Sequence, residues 1–418
     1  MKETAKKALK NPLIYGSTIV VFGGLLSNFF NFLYNLFMSR TLSLTEYGIL
    51  ASLISLITFP ALLVTALNPV IVRFAGDYFA KKDILLLRGL YYQFFKFLLV
   101  LGSAIFLLFL IFLGQIASFF HIRDQFILLL TDFIIFLAFV SAINISFLQA
   151  KLAFGMQIII NLVIAVLKLI LGIIFVVVGY SVGGATMAIL IASLIGYFVS
   201  FAQLRFIFSK KTKMPHIDTK AIFSYGIPSA LTLFGLISFI SSDIILVKHF
   251  FNPIQAGQYA GLSLIGRIIF FVSAPIGTVM FPIIVQKYTR NENYDNTFKM
   301  AVGLVLAPSI LLTLFYSFFP KFSVLFFLKN PAYLAVAPLV GIFGLYITFY
   351  SVLYLFANFY LSIKKTNIYL PILIASFLQI ILIVFYHNNF WQIILISFVL
   401  IGILLSLFLV YYPYATKK

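Results

Sequence analysis

Lys168 and Arg267 each fall near the middle of a long apolar run, with no acidic residue beside them in sequence. A cation is expensive in such a setting, and an ionisable residue there marks a ligand or ion path by default. The blander alternative is a side chain that reaches back to the surface with its charged tip. A cavity with Lys168 and Arg267 on its walls and few carboxylates would be electropositive. At low dielectric it would favour an anion such as a diphosphate or an acidic sugar. Asp243, next to Ser241 and Ser242, reads as the only buried carboxylate clear of both the charge-rich ends and the N-cap positions. It is the candidate for binding a coupling H+ or Na+, with pairing to Lys248, or to an Arg across the bundle, as the structural alternative. Asn28, Asn31 and Asn35 are spaced i, i+3, i+7 and share one helical face, as do Gln157, Asn161 and Lys168. Such amides either meet a ligand or hold helices together.

The elements that carry these residues follow from composition. Hydrophobic residues are 63% of the 418-residue chain and charged residues 9%. A soluble domain carries about 25% charged residues. About 20 consecutive apolar residues cross a bilayer as a helix, and such runs recur here. Twelve spans are expected, near 14–38, 48–68, 94–119, 126–149, 154–179, 182–206, 223–247, 257–285, 299–319, 332–361, 367–386 and 389–412. The fold class is therefore all-α, a polytopic membrane protein.

Lys and Arg alternate between the two sides of these spans. One side holds 22 of them and the other only Arg40, Arg123, Lys248, Lys321 and Lys329. The positive-inside rule then places both termini in the cytoplasm and the chain in the cytoplasmic (inner) membrane. The net charge of +19 is explained by orientation and by contact with anionic membrane lipids, so no nucleic-acid partner is expected. The first apolar run is too long for a signal peptide and lacks a small-x-small cleavage pattern, so it reads as an uncleaved span. Cysteine is absent, which removes disulfides and thiolate metal sites.

A repeat runs through the chain. Tyr15-Gly16 returns as Tyr225-Gly226, Glu46-Tyr47-Gly48 as Gln258-Tyr259-Ala260, and Pro69-Val70-Ile71-Val72 as Pro282-Ile283-Ile284-Val285. The offsets are 210, 212 and 213 residues, and Gln379 falls roughly at the repeat position of Lys168. A unit of six spans gives parallel repeats: an N-terminal lobe 1–209, a cytoplasmic linker 210–222 and a C-terminal lobe 223–418. Transporters commonly bind substrate between such halves. Ser43-Leu44-Thr45-Glu46 fits a capping box, and Asn252-Pro253-Ile254-Gln255 fits the same scheme with Pro at N1. Pro60, Pro69, Pro228, Pro275 and Pro282 lie in or at the ends of spans, where they can bend helices.

Arg40-Thr41-Leu42 through Glu46-Tyr47-Gly48, followed by Arg73-Phe74-Ala75, resembles the start of the polysaccharide-transporter family within the multidrug/oligosaccharidyl-lipid/polysaccharide exporter superfamily. Ser242-Asp243 and Ala256-Gly257-Gln258-Tyr259-Ala260 are similar to the matching signature of the second half. The resemblance implies a two-lobed flippase for lipid-linked oligosaccharides. Such a flippase would alternate between inward and outward openings of a central cationic cavity. It adds Arg40 and Arg73 to the candidates and implies a polyprenyl-diphosphate-linked repeat unit as substrate, with other glycan-assembly proteins as partners. No cofactor is expected. Ion-coupled multidrug export is the competing function, although a cation exporter would want more buried acids. A membrane-embedded glycan polymerase or transferase is a third reading. His121, His216, His249 and His387 are scattered near span ends, and no acid/base or phosphate-cradling constellation accompanies them.

Overall fold

The computed structural model describes residues 12–151, 153–204 and 226–416. The expected linker 210–222, the Tyr15/Tyr225 echo and the Arg73 side chain lie outside what it describes. Among the described residues there is no strand. In hydrocarbon every backbone N–H and C=O must be bonded within its own segment, and a helix does this.

Among the described residues, twelve long helices and two short ones follow one another. They are α1 (Pro12–Thr41), α2 (Leu44–Ala80), α3 (Ile84–Ile111), short α4 (Leu113–Phe120), α5 (Gln125–Ala150), α6 (Phe154–Val177) and α7 (Ser181–Ala202). Then come α8 (Ile227–Phe250), α9 (Pro253–Thr289), α10 (Asp295–Phe318), short α11 (Pro320–Leu328), α12 (Val340–Ser362), α13 (Tyr369–Phe385) and α14 (Phe390–Thr416). Ten helices are long and apolar enough to cross a membrane, and Leu44–Pro60 adds a shorter apolar stretch. Large apolar side chains such as Phe22, Ile111 and Phe318 are exposed, as lipid-facing residues should be. The chain is a multi-pass membrane protein.

The repeat is visible in the elements. Each half has six long helices with a short helix after the third, and α2 and α9 are both 37 residues long. The structure refines two expected spans. The run 94–119 is two helices, because α3 ends at Ile111 and α4 restarts at Leu113. The run 332–361 begins as a 3-10 helix, Pro331–Leu339, before α12. Pro331 and Pro338 in that stretch disfavour regular α-helical bonding.

The described residues form two compact units. The first contains α1 through Tyr34 and everything from Pro60 to Ile227. The second contains Asn35–Phe59 and everything from Pro228 onward, so it takes in the turn between α1 and α2. In the first unit α7 is a strip of small residues: Gly184, Ala188, Ala192 and Gly196 are all buried. A Cβ on Gly184 would stand 2.7 Å from the Tyr180 Cβ, and one on Gly196 would collide with Ile164 on α6. Small residues let helix backbones approach closely where lipid gives no hydrophobic drive to associate. Asn144 on α5 then ties three helices: it accepts from the Tyr91 hydroxyl of α3 at 2.8 Å and donates to Ser200 of α7 at 3.0 Å.

In the second unit the same tasks fall to hydroxyls. Ser273 and Ser309 meet at 2.9 Å, linking α9 to α10, and Thr313 and Thr348 meet at 2.9 Å, linking α10 to α12. The starts of α2 and α9 touch backbone to backbone. A Cβ on Gly48 would lie 2.8 Å from the Gly257 nitrogen, and one on Gly257 would run into the Leu44 carbonyl. Both caps form as expected. Ser43 N–H donates to Glu46 Oε2 at 2.9 Å and Glu46 N–H to Ser43 Oγ at 3.3 Å, while Gln255 N–H donates to Asn252 Oδ1 at 2.8 Å.

Candidate functional site

Each unit holds its own polar cluster. In the first, Lys168 projects from α6 toward α1. Its ammonium donates to Asn31 Oδ1 and sits 4.6 Å from the centre of the Tyr34 ring. Tyr34 is fully buried, and its hydroxyl donates to the Ala185 carbonyl of α7 at 2.9 Å. Asn31 in turn donates to the Ser27 carbonyl at 2.9 Å. The cation is therefore held by an amide oxygen and an aromatic face, and no carboxylate lies within ion-pair distance of it. Neither holder neutralises its charge. Asn28, on the same helix, is exposed, so Asn31 is the member of the asparagine stripe that the lysine meets.

In the second unit, Asp243 on α8 is buried and both its oxygens are occupied. Oδ2 accepts from the Tyr259 hydroxyl of α9 at 2.8 Å, and Oδ1 accepts from the Ile244 N–H at 2.8 Å. Arg267, two turns along α9, acts on Asp243 through space. Its guanidinium donates to the Ile240 carbonyl of α8, while its Nε is buried without a partner. Above and below, Tyr346 donates to the Phe239 carbonyl at 2.7 Å. Gln379 donates to the same carbonyl at 3.1 Å and to Ser397 at 2.7 Å. Asp243 and Arg267 are thus brought into one cluster with no direct ion pair. The alternative pairing of Asp243 with Lys248 does not form: Arg290 with Glu292 is the one ion pair among the described residues.

Arg40 is exposed at the end of α1. Its guanidinium donates to the Phe327 carbonyl at 2.6 Å and the Phe326 carbonyl at 2.9 Å. These are carbonyls at the C-terminal end of α11, where the last turn of a helix has no internal donors and a cation is favoured.

One group escapes the sequence reasoning. Asp132 on α5 is fully buried, and neither carboxylate oxygen has a partner. Asp243 is therefore not the only buried carboxylate clear of caps and ends. The signal was present: Asp132 stands inside the run 126–149, eight residues past Asp124, which does cap α5 by accepting from Phe126 N–H at 2.9 Å. Among the described residues no group of three or more His, Asp or Glu could hold a metal ion.

A family model described as "Polysaccharide biosynthesis protein" matches residues 37–330. No curated protein matches. Among solved structures, the chain is similar to an inward-facing multidrug resistance MATE family transporter of the MOP superfamily. The identity is 11% and the TM-score 0.77, over 94% of this chain and 96% of that one. It is similar to the lipid II flippase MurJ in an inward closed conformation at 17% identity and TM-score 0.71, over 93% and 86%. It is also similar to a MOP superfamily transporter from Pyrococcus furiosus at 13% identity and TM-score 0.62, over 97% and 96%. At such identities the likeness establishes the fold.

Proposed function

The chain belongs to the polysaccharide biosynthesis protein family, a transporter or flippase of the MOP type, and from that premise we propose that it flips a polyprenyl-diphosphate-linked oligosaccharide repeat unit across the cytoplasmic membrane. The observation that carries this reading is Lys168, a mid-span cation held by Asn31 and Tyr34, with no carboxylate within ion-pair distance among the described residues. A cation whose charge no carboxylate neutralises is prepared for an anionic ligand such as a diphosphate or an acidic sugar. Arg267, with an unpartnered Nε, is the second unit's candidate cation for an anionic ligand. Asp243 is the group that would bind a coupling H+ or Na+. Translocation proceeds by alternation between inward and outward openings, with both termini in the cytoplasm. The substrate, membrane lipids and other glycan-assembly proteins are the partners.

Complementation of a strain lacking its repeat-unit flippase tests the proposal, with Lys168→Met, Arg267→Ala and wild type compared at matched membrane levels. Surface polysaccharide restored by wild type and lost with Lys168→Met is the expected result. Restoration unaffected by either change removes the cationic site, and transport of a defined lipid-linked oligosaccharide in vesicles then decides whether flipping stands. Ion-coupled drug export is the second reading. One structural neighbour is a multidrug transporter, and that activity would lean on Asp243. Drug efflux that persists after Asp243→Asn counts against it.

A further inference from the structure

The two buried carboxylates have opposite surroundings. Asp243 accepts a hydrogen bond on each oxygen. Asp132 has 0% exposure, no hydrogen bond on either oxygen and no ion pair.

The wall around Asp132 can be placed by register. Ile127 of α5 lies beside Gly183 of α7, and Asn144 of α5 bonds Ser200 of α7 at the same separation of 56 residues. The two helices therefore run side by side in step, which puts Ala188, itself fully buried, level with Asp132. On the other flank Phe106 of α3 packs against Phe133 at 5.0 Å. Leu128, Ile135 and Phe139 continue the buried face along α5 itself. Asp132 is enclosed by hydrocarbon.

The charged and titratable groups of the packed helices stand elsewhere. On α3 they are Arg88, Tyr91, Tyr92 and Lys96, and the nearest, Lys96, is ten residues below Phe106, about 15 Å along the helix. α4 carries none, and His121 follows its end. On α6 Lys168 is engaged with Asn31 and Tyr34. On α7 Tyr197 lies nine residues beyond Ala188, about 13 Å away, and the exposed Tyr180 precedes the helix. α2 meets α5 C-terminal to Asp132, through residues 138–149; it carries Glu46 and Tyr47 at its start, Arg73, whose side chain lies outside what the structure describes, the exposed Asp77 and the half-buried Tyr78.

A buried ionised carboxylate with no donor and no cation is strongly disfavoured, and such a group neutralises instead. We propose that Asp132 is a proton-binding site of the first unit: its carboxyl holds a proton in this conformation and releases it only when another conformation admits water. On release the carboxyl O–H bond breaks, the proton passes to water as hydronium, and the carboxylate remains hydrated. This site is separate from the Asp243 cluster. Its use in driving transport rests on the transporter function, whereas its occupancy by a proton does not.

Infrared difference spectroscopy of the full-length protein, wild type minus Asp132→Asn, in micelles of a detergent that carries no carbonyl group reads the proton directly, without substrate. The wild type is expected to show the carbonyl stretch of a protonated carboxyl at neutral pH, and Asp132→Asn to lose it. Asp77→Asn, at an exposed position, is expected to leave it unchanged. Should Asp132→Asn fail to fold, Asp132→Glu is expected to move the band rather than abolish it. Absence of the band from wild type at neutral pH overturns the proposal. So does a band that neither Asp132→Asn nor Asp132→Glu alters. Either result would leave the flippase reading untouched, because complementation tests that separately.

Discussion

The contact between Tyr259 and Asp243 gives a quantitative test of the second cluster. Tyr259→Phe removes one oxygen atom from a site that is 1% exposed and leaves Asp243 Oδ2 without its 2.8 Å donor. A hydrogen bond to a charged group contributes about 1.5–3 kcal/mol, whereas one between neutral groups contributes about 0.5–1.5 kcal/mol. Asp243 keeps its second donor, the Ile244 N–H, and has the Arg267 charge nearby. The coupling therefore falls within about 0.5–3 kcal/mol, and where it falls reads the charge on the carboxyl.

The assay is a double-mutant cycle of Tyr259→Phe, Asp243→Asn and the double variant. Reversible unfolding of the purified protein in mixed micelles would be followed by far-ultraviolet circular dichroism. A coupling of about 0.5–3 kcal/mol is expected, since the residues touch directly. At about 1.4 kcal/mol per factor of ten, this is a change of up to about two decades in the folding equilibrium. Additivity within about 0.5 kcal/mol would refute the pairing. A coupling above about 1.5 kcal/mol would identify a charged carboxyl, and one of about 1 kcal/mol a bond between neutral groups.

Two further outcomes concern the scaffold. Gly257→Ala is expected to lower the unfolding midpoint, with an overpacking cost of about 1–3 kcal/mol, because its new methyl meets the Leu44 backbone rather than a side chain that can turn away. Gly303→Ala, with open space around it, should be neutral or stabilising, and equal effects at the two positions would sink the close-packing account. Ser43→Ala should cost about 1 kcal/mol through loss of the α2 cap; an unchanged midpoint would show that Glu46 alone suffices there.

The features legible in the sequence were those with a local cause. The spans follow from the length of apolar runs, and the two caps from residues three apart. Lys168 and Arg267 stand out because burial of a cation is costly wherever it occurs. What these residues touch was not legible. Lys168 meets Asn31 across 137 positions, and Arg40 meets Phe327 across 287. No local spacing encodes either contact. The break at Phe112 was hidden because apolar composition continues unchanged through it. Asp132 was hidden for a related reason: an acid two turns inside a span looks like an extension of the Asp124 cap until packing shows that nothing reaches it.

The repeat preserves scaffold contacts and varies their chemistry. Lys168 on α6 reaches back to Asn31 on α1, and Gln379 on α13 reaches back to the Phe239 carbonyl on α8. The offsets between these pairs are 211 and 208 residues, so the same two helices are tied in each half, displaced by less than one turn. In the first half the tie is a cation on a side-chain amide. In the second it is a neutral amide on a backbone carbonyl. Arg267 supplies the second half's cation from α9, and Ser55 stands at the matching place on α2, 212 residues earlier. Asp243 matches the segment 31–35, which carries Asn31 and Asn35 but no charge, and Asp132 matches an apolar stretch around Phe343. Every mid-span charge in these clusters is therefore private to one half. Each is costly to bury, and the halves carry them in different states: an uncompensated cation and an unpartnered acid in the first, and a fully bonded acid beside an arginine in the second.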